Sequence, residues 1–120
     1  MGRPLNILVL DDDSENADAL AELFSLEDHK VIVAYNGEDA IAAYKANDFD
    51  LAFFDVMMPG KNGVESFLEI RRLNPNAKVY FMTGYSGDDL LQKALANGAL
   101  GVFGKPVDLS KVLDMLDKAA

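Results

Sequence analysis

A single α/β domain over residues 1–120, with five parallel strands wound between helices on both faces of one sheet, is the fold class that the sequence predicts. Three observations lead there. Five short apolar runs recur along the chain, a segment of helical period follows each of them, and three of the runs are apolar at successive positions instead of alternating. Unbroken apolar character is what a strand requires when helices cover both faces of its sheet. A chain of 120 residues holds one core of this kind and leaves no room for a second domain of ordinary size.

The strands are read at Ile7-Leu8-Val9-Leu10, Val31-Ile32-Val33-Ala34, Leu51-Ala52-Phe53-Phe54, Val79-Tyr80-Phe81-Met82 and Val102-Phe103. Between them, apolar residues at helical spacing mark five helices: Ala17, Leu20, Ala21 and Phe24; Ala40, Ile41 and Tyr44; Val64, Phe67 and Leu68; Leu90, Leu91, Ala94 and Leu95; and Leu109, Val112, Leu113 and Leu116. Capping residues agree. Asp13 precedes the first helix, Asn36 and Ser86 each have an acidic residue three positions on (Asp39, Asp89), Asp108 precedes the last helix, and Asn97-Gly98 closes the fourth. Five such units with right-handed crossovers give an open sheet, being too few to close an eight-stranded barrel. The expected topology is a flavodoxin-like doubly wound sheet of order 2-1-3-4-5 with five helices. Its site lies beyond the carboxyl ends of the strands, where the winding reverses between the first and the third.

Composition narrows the function classes. Eleven Lys and Arg against twenty Asp and Glu give a formal charge of −9, a field that repels phosphate backbones and anionic lipid heads, so no direct nucleic-acid or membrane partner is expected. Cysteine is absent, which removes thiolate metal sites and thiol nucleophiles. No apolar stretch approaches membrane-spanning length, and a cytoplasmic location is expected.

The residues that leave each strand carry the chemistry. Asp11 and Asp12 follow the first strand, Asp55 the third, Thr83 the fourth and Lys105 the fifth, whereas the second exits into the turn Tyr35-Asn36-Gly37. Three carboxylates gathered in a cleft repel one another and call for a cation. Lys105 offsets one charge. A hard divalent ion with oxygen ligands, Mg²⁺, suits an all-carboxylate site without His or Cys. A metal, a hydroxyl and an ammonium around one carboxylate also match the needs of a phosphoryl group in transfer, with Asp55 as nucleophile and an acyl phosphate as product. Taken singly, each residue has a plainer role as helix cap, strand residue or solvated lysine; the convergence of four strand exits sets them apart.

On the segments Ile7-Leu8-Val9-Leu10-Asp11-Asp12-Asp13, Asp55-Val56-Met57-Met58-Pro59-Gly60-Lys61-Asn62-Gly63, Met82-Thr83-Gly84 and Gly98-Ala99 through Lys105-Pro106, the chain resembles a receiver domain of two-component response regulators. The resemblance implies Asp55 as phosphoacceptor, supplied by a sensor histidine kinase or histidine phosphotransfer protein and read by a downstream effector protein or domain. It also implies Mg²⁺ held by Asp12, Asp55 and the main-chain carbonyl of Met57, with Asp11 acting mainly through a water. Thr83 and Lys105 would each bind a phosphoryl oxygen, and Gly84 would leave the approach to Asp55 open. No enzymatic activity is implied beyond self-phosphorylation from a phosphodonor and autodephosphorylation. Such a domain occurs alone or within a longer regulator.

Several positions depart from that pattern or lie outside it. Val102 stands where many relatives carry Tyr or Phe, so Tyr85, on the loop from Gly84 to Gly87, is the aromatic expected to respond to phosphorylation while Val102 stays nearly static. Met57 and Tyr85, two residues beyond Asp55 and Thr83, are expected to flank the path of a hydrolytic water; both are bulky, and neither is a carboxylate or amide that could orient the water, which predicts slow autodephosphorylation. A cis bond at Lys105-Pro106 is expected, because it turns the lysine back into the cleft. The last helix is acidic and lacks the basic-acidic pattern of the dimerising winged-helix regulators, so the resemblance does not carry a homodimer over to this chain. His29 reads as a solvated turn histidine, and Phe53, Phe54, Met58 and Phe67 read as core.

Three rival functions are weaker. A degenerate receiver serving as a constitutive scaffold normally lacks one of the acidic, Thr or Lys positions. The Asp-x-Asp kernel of haloacid-dehalogenase-like phosphohydrolases fits Asp11 to Asp13, but Glu15 stands where that family has Thr or Val. Flavin binding needs a loop of backbone donors after the first strand, where the Asp triplet would repel the flavin phosphate.

Overall fold

Helix starts follow from single side chains. Asp13 accepts from the amides of Glu15 and Asn16, Asn36 accepts from that of Asp39, and Asp108 Oδ1 accepts from those of Ser110 and Lys111. At Asn62 the arrangement is reciprocal: its side chain accepts from the Glu65 amide while Glu65 Oε1 accepts from the Asn62 amide. Each cap satisfies amides that the helix leaves open and contributes about 1 kcal/mol.

The computed structural model describes residues 3–56, 58, 60, 62–84 and 89–119, so the expected cap Ser86 lies outside the described residues. In chain order the elements are β1 (Asn6–Leu10), α1 (Ser14–Leu26), β2 (Lys30–Ala34), α2 (Gly37–Ala46), β3 (Leu51–Asp55), α3 (Gly63–Leu73), β4 (Val79–Thr83), α4 (Asp89–Ala96), β5 (Gly101–Gly104) and α5 (Leu109–Ala119). The strands are all parallel and lie in the order β2-β1-β3-β4-β5. This is the doubly wound order expected from the sequence.

Alternation along the strands divides the core into two layers. Leu8, Leu10, Ala52, Phe54, Val79 and Phe81 face α2, α3 and α4, meeting Ile41, Phe67, Ile70, Leu91 and Ala94. Ile7, Val9, Leu51, Phe53 and Met82 face α1 and α5, meeting Leu20, Phe24, Val112 and Leu116. Phe53 is the aromatic centre of the second layer, with ring centroids 5.3 Å from Phe24, 5.8 Å from Tyr80 and 6.1 Å from Phe103. Met58 packs against the first layer.

Position in the sheet decides which apolar runs are buried. β1 and β3 lie inside the sheet, and every one of their apolar residues is buried. The run in β2 is equally apolar, but the strand is an edge and Ile32 is 40% exposed. Helical stripes are likewise wider than the sheet they cover, leaving Leu95 and Leu109 exposed. Asn97-Gly98 ends α4 as expected, with Gly98 at φ +101° and the Ala99 amide donating to Ala94 O at 3.0 Å.

One expectation is corrected. His29 is half-buried, and its Nδ1 accepts from the Leu5 amide at 2.9 Å. A ring nitrogen beside the start of β1 serves that otherwise open amide better than water would.

Candidate functional site

The ladder carries the site residues to one edge. Beyond β1, the Asp11 amide still donates to Ala34 O at 3.1 Å, so the first acidic residue is held by sheet geometry. Beyond β3, the Val56 amide donates to Met82 O at 3.2 Å, and the Gly63 amide donates to Val56 O at 3.1 Å, which closes the loop between strand and helix behind Asp55. Thr83 pairs in register with Gly104, and the next amide, that of Lys105, donates to Thr83 O at 2.7 Å. The Lys105-Pro106 bond is cis.

Asp11, Asp12 and Asp55 each offer a carboxylate oxygen within 4.8 Å of the other two. Asp11 is fully buried, Asp55 is 6% exposed and Asp12 is exposed. Lys105 Nζ sits between the two buried carboxylates, 3.2 Å from Asp11 Oδ2 and 3.2 Å from Asp55 Oδ1. Burial, and after it the charge of Asp11, pushes the Asp55 carboxyl up to about 6 against the opposing pull of Lys105. Burial works against the ammonium of Lys105, but Asp55 and Asp11 together raise its pKa, so it stays charged. Three carboxylates and one ammonium leave the cluster net anionic. With hard oxygen donors, one of them open to solvent, it fits a divalent cation that keeps part of its water shell.

Three of the other expected positions fall among the described residues. Thr83 is buried at the end of β4, next in sequence to Met82, the register partner of Asp55. Gly84 is exposed, and a methyl group added there would meet nothing within 4 Å. Val102 is 39% exposed on β5, while Phe103 turns to the opposite layer. Met57 and Tyr85 lie outside the described residues.

Two residues join the site without a signal in the apolar pattern. Asn16 Nδ2 donates to Asp11 Oδ2 at 2.6 Å, and the Asp13 amide donates to Asp11 Oδ1 at 3.0 Å. The available clue is positional: Asn16 is the third residue after the Asp13 cap, where a polar side chain can reach back toward the strand exit. Gly63 begins α3 with its Cα against the main chain of Asp55, and a Cβ there would overlap the Asp55 carbonyl oxygen. A glycine at a helix start that already has a good cap is the clue in that case.

A model of the response regulator receiver domain matches residues 7–117. The chain belongs to that family and is a receiver domain of two-component signalling, a signalling module. It is 36% identical over 115 residues to the transcriptional regulatory protein ZraR of Salmonella typhimurium, an alignment covering 96% of this chain and 26% of that protein. It is 31% identical over 112 residues to sporulation initiation phosphotransferase F of Bacillus subtilis, covering 93% of this chain and 90% of the relative. Among solved structures, the CheX-CheY-BeF3-Mg complex of Borrelia burgdorferi superposes with a TM-score of 0.87 at 30% identity, covering 96% of this chain and 88% of the other. The chain thus spans about a quarter of ZraR and nearly all of the phosphotransferase. Among the described residues, no helix is long and apolar enough to cross a membrane.

Proposed function

We propose that this domain accepts a phosphoryl group on Asp55 in the cytoplasm, in a Mg²⁺-dependent transfer from a phosphohistidine on a sensor histidine kinase or histidine phosphotransfer protein. The added charge then changes a surface read by a downstream effector protein or domain. The observation that carries this reading is the position of Lys105 Nζ, 3.2 Å from both Asp55 Oδ1 and Asp11 Oδ2, inside the carboxylate cluster.

In the transfer, an Asp55 carboxylate oxygen attacks phosphorus. The new O–P bond forms as the bond from phosphorus to the histidine nitrogen breaks, and the nitrogen keeps that electron pair. Lys105 supplies a fixed positive charge and the Thr83 hydroxyl a donor, each to a phosphoryl oxygen. Asp11, Asp12 and Asp55, with the main-chain carbonyl of Met57, would hold Mg²⁺. When bound, that ion neutralises charge on the phosphoryl oxygens. The relative from Borrelia burgdorferi, solved with BeF3 and Mg, supports the same assignment.

Intact-mass measurement with a small acyl phosphate tests it. One phosphoryl group is expected in the presence of Mg²⁺ and none with a chelator or in Asp55→Asn. A gain that survives either change overturns the reading.

A further inference from the structure

Among the described residues, three donors hold the fully buried carboxylate of Asp11: the Asp13 amide on Oδ1, and Asn16 Nδ2 and Lys105 Nζ together on Oδ2. Two donors fill the accepting capacity of that oxygen, so one can leave while the other still serves the buried carboxylate. The bond from Asn16 is the shorter, at 2.6 Å against 3.2 Å. Asn16 is also carried by α1, whereas Lys105 reaches equally to Asp55.

We infer that Asn16 is a positioning residue for phosphoryl acceptance, holding Asp11 Oδ2 so that Lys105 is free to leave Asp11 for the incoming phosphoryl group. This rests on the reading of Asp55 as the phosphoacceptor. Before transfer, Lys105 divides its protons between two carboxylates. After transfer, one Asp55 oxygen is esterified and the phosphoryl oxygens draw the ammonium to themselves. Without Asn16, that move takes away the other donor that the described residues place on Asp11 Oδ2, and Lys105 is retained on Asp11. With Asn16, the oxygen keeps a short charge-assisted bond throughout. Asn16 therefore acts on the reaction through Lys105 and does not touch phosphorus.

The role predicts a specific non-additivity. At saturating Mg²⁺ and a fixed concentration of a small acyl phosphate, the initial rate of phosphoryl gain on Asp55, read by intact mass, should fall about tenfold in Asn16→Leu, the range set by losing a hydrogen bond to a charged group. Asn16→Ala should match it, which separates the missing donor from any effect of the leucine side chain. In a Lys105→Ala background no donor leaves Asp11 during the reaction, so adding Asn16→Leu should change the rate by less than about twofold. A merely structural role for Asn16 would slow both backgrounds alike, and that result overturns the proposal. So does a rate in both Asn16 variants within about twofold of the unmodified chain. Absence of any gain in the unmodified chain itself overturns the reading of Asp55, and this proposal with it.

Discussion

Gly63 lies so close to the main chain of Asp55 that a single methyl group on its Cα would overlap the Asp55 carbonyl oxygen. The first residue of α3 therefore fixes the depth of β3, and the side chain at its end inherits that depth. The expected consequence of Gly63→Ala runs against helix propensity. Propensity alone favours Ala by up to about 1 kcal/mol, whereas overpacking against backbone costs about 1–3 kcal/mol. Contact wins, and urea unfolding should show a net loss together with slower phosphoryl gain on Asp55. Gly84→Ala, where the added methyl meets nothing, should fall within about 0.5 kcal/mol of the parent.

The raised pKa of Asp55 makes a signed prediction for the metal-free protein. Its folded value, about 6, lies above the ordinary value of 3.8, so the folded state binds more protons between the two and stability falls as pH rises through that window. Asp55→Asn removes the penalty. Thermal melts in chelator should show the variant more stable by about 2 kcal/mol at pH 8, with the difference vanishing below pH 4. Adding Mg²⁺ at pH 8 should stabilise the parent more than the variant.

At the opposite end of the sheet, Asp50 takes both guanidinium nitrogens of Arg3, at 2.8 and 3.2 Å, and the Asn6 amide at 2.8 Å. The bond from Arg3 foremost, opposed by burial and aided by the Asn6 amide, holds the Asp50 carboxyl below its usual range. A depressed folded value contributes stability above the unfolded pKa and loses it as pH falls through the folded one. Asp50→Asn should lower the melting midpoint by a few degrees at neutral pH. The gap should narrow as pH falls below the ordinary Asp range, and a gap that does not change with pH would place the effect elsewhere.

Phe53 and Ile32 give a packing test. Truncating Phe53, which touches three other aromatic rings, to Ala should cost about 3–5 kcal/mol. Ile32→Thr on the exposed edge should cost less than about 1 kcal/mol by urea unfolding, although both residues lie in equally apolar runs.

What was legible in the sequence is whatever follows directly from strand periodicity. Asp11, Asp12, Asp55 and Lys105 each stand at or just beyond the end of an apolar run, so the topology alone sends them to one edge, where they are found. The caps at Asp13, Asn36 and Asp108 were legible for the same reason, being local. Asn16 was not, because its contact depends on how α1 is rotated about its axis after the cap. Gly63 was not, because periodicity carries no information about how closely one backbone approaches another. His29 illustrates a third limit: its partner, the Leu5 amide, is 24 residues away and belongs to a strand start that reads as ordinary. Edge and interior strands look alike in composition, so the exposure of Ile32 emerges only once the sheet order is known.

The main-chain bond from the Lys105 amide to Thr83 O joins the two residues proposed to grip a phosphoryl group. Because that bond runs through backbone, it fixes where the two chain segments stand whatever rotamer either side chain adopts. Replacing one of the two side chains therefore removes one donor and leaves in place the backbone that carries the other.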